Sequence, residues 1–145
     1  MPKIGMDLAG NFLVGWWHYD IATGDTNVVA RRYVMDTLPP ITALSNGQTV
    51  SGLSGTTGSW QYFKITVPSG VSQITFNQYG SGGDADLVVR WAALPTASDY
   101  DACGCISGNT EQLSFNNSPP AGDWYVGIYG YQAYNGVSIT ATYSY

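Results

Sequence analysis

The alternation of apolar and polar positions is clearest between Trp60 and Val67, where Phe63, Ile65 and Val67 alternate with Tyr62, Lys64 and Thr66. A strand turns successive side chains to opposite faces, so this period of two predicts a strand whose Phe63, Ile65 and Val67 face a core. The same period recurs in Ile74 with Phe76, Leu87 with Val89, Leu113 with Phe115, Trp124 with Val126 and Ile128, and Val137 with Ile139. Pro68-Ser69-Gly70, Ser81-Gly82-Gly83, Pro119-Pro120-Ala121-Gly122 and Asn135-Gly136 separate these runs as turns. Nothing reads as a long amphipathic helix. Many short alternating strands at this spacing predict an all-β chain built as a β-sandwich.

The first 36 residues have a different texture. They predict strands over Lys3 to Met6, Phe12 to Tyr19 and Val28 to Met35, with turns at Asp7 to Asn11 and Asp20 to Asp25. Pro39-Pro40 closes this segment as a stiff linker. The chain therefore divides into a three-stranded β unit over residues 1–36, a Pro-containing linker over 37–42 and the sandwich over 43–145. The chain begins at Met1 inside what already reads as a strand, so a fragment of a larger precursor is expected.

Composition agrees with this class. A chain of 145 residues can bury a real core, and 18 Gly, 11 Tyr and 5 Trp with only 10% charged residues suit strands and turns. The net charge of -5, with no Lys/Arg patch, excludes nucleic acid as a partner. No apolar run is long enough to span a bilayer, and the amino terminus lacks the zones of a secretion signal.

Candidate chemistry is sparse. The one histidine, His18, stands among Trp16, Trp17 and Tyr19, without the partners of a catalytic triad or a zinc site, so the chain reads as no enzyme. Asp84, Asp86, Asp99, Asp101 and Glu111, with Asn109, are hard oxygen ligands of the kind calcium takes; Asp84, Asp86, Asp101, Asn109 and Glu111 are the candidate set. The competing reading has Asp84 and Asp86 bonded to backbone amides and Glu111 paired with Arg90. Cys103-Gly104-Cys105 either closes a small disulfide ring or leaves free or interchain thiols.

Aromatics carry the functional expectation. The alternation that buries Trp124, Val126 and Ile128 turns Tyr125, Tyr129 and Tyr131 to the opposite face, and Gly127 with Gly130 is expected to leave that face flat. Tyrosines on such a surface lie against an extended polymer at low entropic cost. The competing reading is a face covered by residues 1–36 or by a partner chain.

Gly82-Gly83-Asp84-Ala85-Asp86-Leu87-Val88-Val89-Arg90, then Tyr100-Asp101, Gly108-Asn109-Thr110-Glu111 and Gly130 to Val137, resemble in order and spacing the bacterial pre-peptidase C-terminal domain. That family is related to the collagen-binding domains of bacterial collagenases, and the resemblance covers roughly residues 43–145. It implies a jelly-roll-type antiparallel β-sandwich, secreted or displayed at the cell surface of a bacterium, serving a protease as a non-catalytic module. A Tyr-x-Tyr that contacts collagen in those relatives maps onto Tyr129 and Tyr131. Their calcium lies between an acidic linker and the loop after the first strand; here Asp36 to Asn46 has one acid and Ser54 to Ser59 none. Many relatives have a disulfide at the positions of Ala102 and Leu113, which this chain cannot form.

Met6-Asp7-Leu8-Ala9-Gly10-Asn11-Phe12-Leu13-Val14-Gly15-Trp16 and Ala30-Arg31-Arg32-Tyr33 resemble one unit of a repeat in large bacterial surface proteins. Such units bury their apolar face only against neighbours, so a homo-oligomer through residues 1–36 is expected. The expected function is attachment to an insoluble extracellular protein or polysaccharide, most plausibly structural protein. A module for precursor folding, secretion or chain assembly is the alternative.

Overall fold

The computed structural model describes residues 3–6, 12–19, 22–24, 26–33 and 38–145, and every described element is a strand, turn or bend. Two units are present, Met1–Leu38 and Pro39–Tyr145.

In the first unit, β1 (Lys3–Met6), β2 (Phe12–Tyr19) and β3 (Thr26–Tyr33) form an antiparallel sheet in the order β1-β2-β3. Strand β3 begins at Thr26 rather than Val28, because the ladder with β2 runs out to Tyr19 opposite Thr26. The backbone of His18 pairs with Asn27 in that ladder. The turn expected at Asp7 to Asn11 and the end of the third strand at Val34 and Met35 lie outside the described residues.

The second unit is a sandwich of two sheets. One contains β4 (Ile41–Ala43), β6 (Trp60–Val67), β8 (Ala85–Trp91), β9 (Ala102–Cys103) and β11 (Gly122–Gly130), in the order β4-β6-β11-β8-β9. The other contains β5 (Thr49–Gly55), β7 (Gln73–Tyr79), β10 (Glu111–Asn116) and β12 (Tyr134–Ser144), in the order β10-β7-β12-β5. Every ladder is antiparallel except β4 on β6. Ile41 and Thr42, expected in the linker, are thus part of an edge strand. The cause is Leu44, which enters the core while its amide donates to the Lys64 carbonyl at 2.8 Å.

Alternation fills the space between the sheets as the sequence demands. Phe63, Ile65, Val67, Leu87, Val89, Trp124, Val126 and Ile128 meet Ile74, Phe76, Val137, Ile139 and Ala141 from the other sheet. Removal of each such side chain from water contributes about 1.5–3 kcal/mol. Leu113 and Phe115 are only half-buried because β10 is an edge strand, though the Phe115 ring still packs against Trp124 at 4.6 Å.

One local feature positions the region of interest. The Asn135 amide donates to the Gly82 carbonyl at 3.0 Å, and the Gln132 amide to the Asp84 carbonyl at 2.9 Å. Gly83 between them has φ +84, and a Cβ there would stand 1.9 Å from the Ala133 carbonyl oxygen. Only glycine meets both demands. The loop entering β8 is thereby held against the β11–β12 connection.

Candidate functional site

The outer face of the five-stranded sheet takes the side chains that alternation excludes from the core. Trp60 and Tyr62 of β6 stack with centroids 5.5 Å apart and planes 4° from parallel. Tyr129 of β11 is the register partner of Trp60, and the two rings meet at 4.8 Å. Together they make a half-buried aromatic ridge.

This face is not the flat surface expected. A Cβ on Gly127 would stand 2.6 Å from the Trp60 ring and 3.1 Å from Pro95 Cγ, so those groups occupy the space above it. Gly130 lies on the opposite parity, with the Thr56 carbonyl oxygen 2.4 Å from where its Cβ would be. Tyr125 is half-buried between Lys64 and Arg90, its register partners on β6 and β8. Four residues, about 13 Å of strand, separate it from Tyr129. Tyr131, past the end of β11, is 61% exposed. The three tyrosines therefore do not form one strip: Trp60, Tyr62 and Tyr129 are continuous, Tyr131 lies in the turn beyond β11, and Tyr125 stands apart.

The loop Ala92–Tyr100, which brings Pro95 over the sheet, is pinned by charge and hydrogen bonds. Arg90 Nη2 meets Asp99 Oδ2 at 2.7 Å, and the Tyr62 hydroxyl donates to the Pro95 carbonyl at 3.3 Å. Burial raises the Tyr62 phenol above its ordinary value. Arg90 thus pairs with Asp99, and the expected Glu111–Arg90 pair is absent.

Glu111 serves the backbone instead. Its Oε2 accepts from the Leu87 amide at 2.5 Å and its Oε1 from the Ile106 amide at 3.2 Å. Burial, the largest effect, pushes its carboxyl up to about 7; the two amide bonds oppose this, and the charges of Asp86 and Asp84 add to it. Asn109 Oδ1 accepts from the Ala85 amide at 2.8 Å, while its Nδ2 donates to the Gly82 carbonyl at 2.9 Å. Asp84 Oδ1 accepts from the Gly108 amide at 3.0 Å. These three side chains splice the start of β8 to the loop after β9.

Asp101 is elsewhere. Its Oδ2 accepts from the Trp91 amide at 2.7 Å, at the far end of β8 from Asp84. Asp101 is therefore apart from Asp84, Asp86, Asn109 and Glu111, and the described residues contain no group of three or more His, Cys, Asp or Glu side chains arranged to hold a metal.

Cys103 and Cys105 are disulfide-bonded, with Cα atoms 5.3 Å apart. Gly104 between them packs on Glu111, whose Oε2 would stand 2.5 Å from a Cβ there. Sequence reasoning missed Trp60 as a member of the outer face and missed this contact. The first had a signal, since Trp60 shares the outward parity of Tyr62.

A family model described as the bacterial pre-peptidase C-terminal domain matches residues 60–130. The chain is 40% identical over 100 residues to alkaline serine exoprotease A of Vibrio alginolyticus, covering 69% of this chain and 18% of that protein. It is 39% identical over 100 residues to an extracellular protease of Xanthomonas campestris pv. campestris, covering 69% of this chain and 17% of that protein. The chain thus spans less than a fifth of either. The solution structure of vEP C-ter 100 matches with a TM-score of 0.57 and 32% identity, over 68% of this chain and 96% of that one. The pre-peptidase C-terminal domain of a Bacillus anthracis collagenase matches with a TM-score of 0.57 and 19% identity, over 74% of this chain and 99% of that one, a likeness of fold.

Proposed function

The chain belongs to the bacterial pre-peptidase C-terminal domain family, non-catalytic accessory modules of secreted proteins, and on that premise we propose that it attaches a parent protein to an insoluble extracellular polymer of structural protein. The observation that carries this reading is the ridge of Trp60, Tyr62 and Tyr129, with the exposed Tyr131 two residues beyond Tyr129. Rigid amphipathic rings in a row lie against an extended chain, bury area at low entropic cost and leave hydroxyls for its polar groups. The same geometry serves a fibrous protein better than a small ligand, because the ridge is a surface and not an enclosure.

Sedimentation with insoluble collagen, chitin and cellulose tests it. The chain is expected to pellet with the fibrous protein, and Tyr129→Ala or Tyr131→Ala to weaken attachment by about 1–3 kcal/mol. Failure of the native chain to pellet with any polymer, or attachment of both variants unchanged from that of the native chain, overturns it.

A further inference from the structure

The Asp86 side chain accepts no hydrogen bond among the described residues. The residue as a whole is only 7% exposed, and its carboxylate oxygens keep a share of that exposure. Position 86 has the outward parity of β8, opposite to Leu87 and Val89 in the core, so its side chain leaves the sheet on the same side as Tyr129, its register partner. There it borders a cavity of about 420 Å³, together with Asp84, Ile106, Ser107, Tyr131 and Gln132. It also borders a cleft of about 90 Å³ lined by Trp60 and Tyr129, which places the cavity at the end of the aromatic ridge.

A carboxylate that is partly stripped of water and has no protein partner favours an opposite charge beside it. The unit supplies none. Its Lys and Arg side chains are Lys64 and Arg90, and these pair with Asp123 at 2.9 Å and Asp99 at 2.7 Å. Asp84 adds a second carboxylate, with one oxygen on the Gly108 amide. Burial, and then the charge of Asp84, raise Asp86 above its ordinary value. The two acids thus share a cavity in mutual repulsion.

The walls select the kind of cation. A metal ion needs several ligands, and no group of three or more His, Cys, Asp or Glu suited to one exists among the described residues. The volume is instead that of a small organic group. The Tyr131 ring and the Ile106 side chain, both largely exposed, offer apolar surface to an aliphatic stem, and a ring beside a cation adds an attraction of its own. The loop is fixed beforehand by the Gln132 amide on the Asp84 carbonyl and by Asn109 on Gly82, so little order is lost on binding.

We propose that this cavity receives the charged head of a basic side chain, a lysine ammonium or an arginine guanidinium, presented by the polymer, with Asp84 and Asp86 as counter-charges and Tyr131 against the stem. This deepens the reading of the chain as a polymer-binding module and, as far as the polymer is concerned, rests on it.

Two measurements on the whole chain test the proposal separately from that reading. In the first, NMR titration uses Nα-acetyl-lysine N-methylamide, the arginine analogue and the uncharged norleucine analogue. The basic probes are expected to shift the amides of Ile106, Tyr131 and Gln132, and the norleucine probe is not. Asp86→Asn, which keeps the side-chain shape, is expected to lower that affinity about tenfold, and Tyr131→Leu to lower it by a smaller factor. Equal shifts with norleucine, or full affinity in both variants, overturn the site; so does displacement of the probes by calcium chloride at micromolar concentration, which would make it a metal site. In the second, pelleting is compared on fibrous protein before and after acetylation of its lysines and blocking of its arginines. Loss of binding for the native chain but not for Asp86→Asn supports the proposal. Undiminished binding to the blocked polymer, with no probe shifts, sinks the cavity and leaves the ridge standing. A chain that pellets with nothing but binds the basic probes sinks the polymer reading and leaves the cavity.

Discussion

Trp60 and Tyr129 are register partners across β6 and β11, and their rings meet at 4.8 Å over the space that Gly127 leaves open. The pair is both a structural contact and the centre of the half-buried ridge. Tyr131, by contrast, is 61% exposed and contributes little to the fold.

The two roles separate in mutants. Trp60→Ala removes the stack with Tyr62 and the contact with Tyr129, and is expected to lower stability by about 1–3 kcal/mol as well as weakening attachment. Tyr131→Ala is expected to weaken attachment while moving stability by less than about 0.5 kcal/mol, as for other exposed sites. Urea denaturation beside the pelleting assay checks both; a stability loss in Tyr131→Ala equal to that in Trp60→Ala contradicts the assignment.

Glu111 makes stability fall as pH rises. Its carboxyl sits at about 7 in the folded chain against 4.5 ordinarily, so between those values the folded state holds more protons than the unfolded one. The stabilisation is complete below about 4.5 and lost as pH passes about 7, and it amounts to at most about 3 kcal/mol. Asp86, also raised, acts with the same sign. Asp123 is held below its ordinary value by Thr66 and Lys64 and acts oppositely, only at more acid pH and on the surface. Urea midpoints measured from pH 5 to pH 8 are expected to decline, and Glu111→Gln to flatten the decline while lowering stability throughout. An unchanged slope in that variant assigns the effect elsewhere.

The strands were legible because their period is two and their turns are marked; Phe63, Ile65 and Val67 face the core as the pattern requires. Family and secreted class were legible from the Asp84–Arg90 and Gly108–Glu111 motifs. What was not legible depends on which backbone lies beside which. Ile41–Ala43 is too short to show alternation, and its parallel pairing on β6 is a tertiary fact. Asp84 and Asp101 look like companions in sequence, but β9 runs antiparallel to β8 with Val89 opposite Ala102, and this carries Asp101 to the far end. Gly127 looked like bare surface because nothing local says that Trp60 and Pro95 fill it. The missing partner of Asp86 is a property of the packed loop, invisible until Arg90 is seen on Asp99.

The Cys103–Cys105 bridge closes a ring of three residues, and so short a loop restrains the unfolded chain weakly, by about 1–2 kcal/mol against about 3 for a 15-residue loop. Gly104 matters more. A methyl group there meets the Glu111 carboxylate at 2.5 Å, and Glu111 cannot yield without releasing the Leu87 and Ile106 amides. Gly104→Ala is expected to cost about 2–4 kcal/mol, more than reduction of the bridge. Calorimetry with and without a phosphine reductant, beside the Gly104→Ala chain, gives the order; a larger loss on reduction reverses the argument.

The sequence of residues 1–36 puts Phe12, Val14, Trp16, Trp17, Val28, Val29 and Tyr33 on β2 and β3, more apolar side chains than a lone three-stranded sheet accommodates. Within that sheet β1 and β3 are the edges, and unpaired edges recruit strands of another chain. Pairing between copies is therefore expected to cover both the apolar residues and the strand edges. Light scattering is expected to give at least a dimer for the whole chain and a monomer for a chain shortened to begin at Pro39. The test also bears on polymer attachment, because two modules in one particle raise avidity without any new contact. A monodisperse monomer for the whole chain, with residues 1–36 rapidly removed by protease, would show that the amino-terminal unit pairs with no second copy.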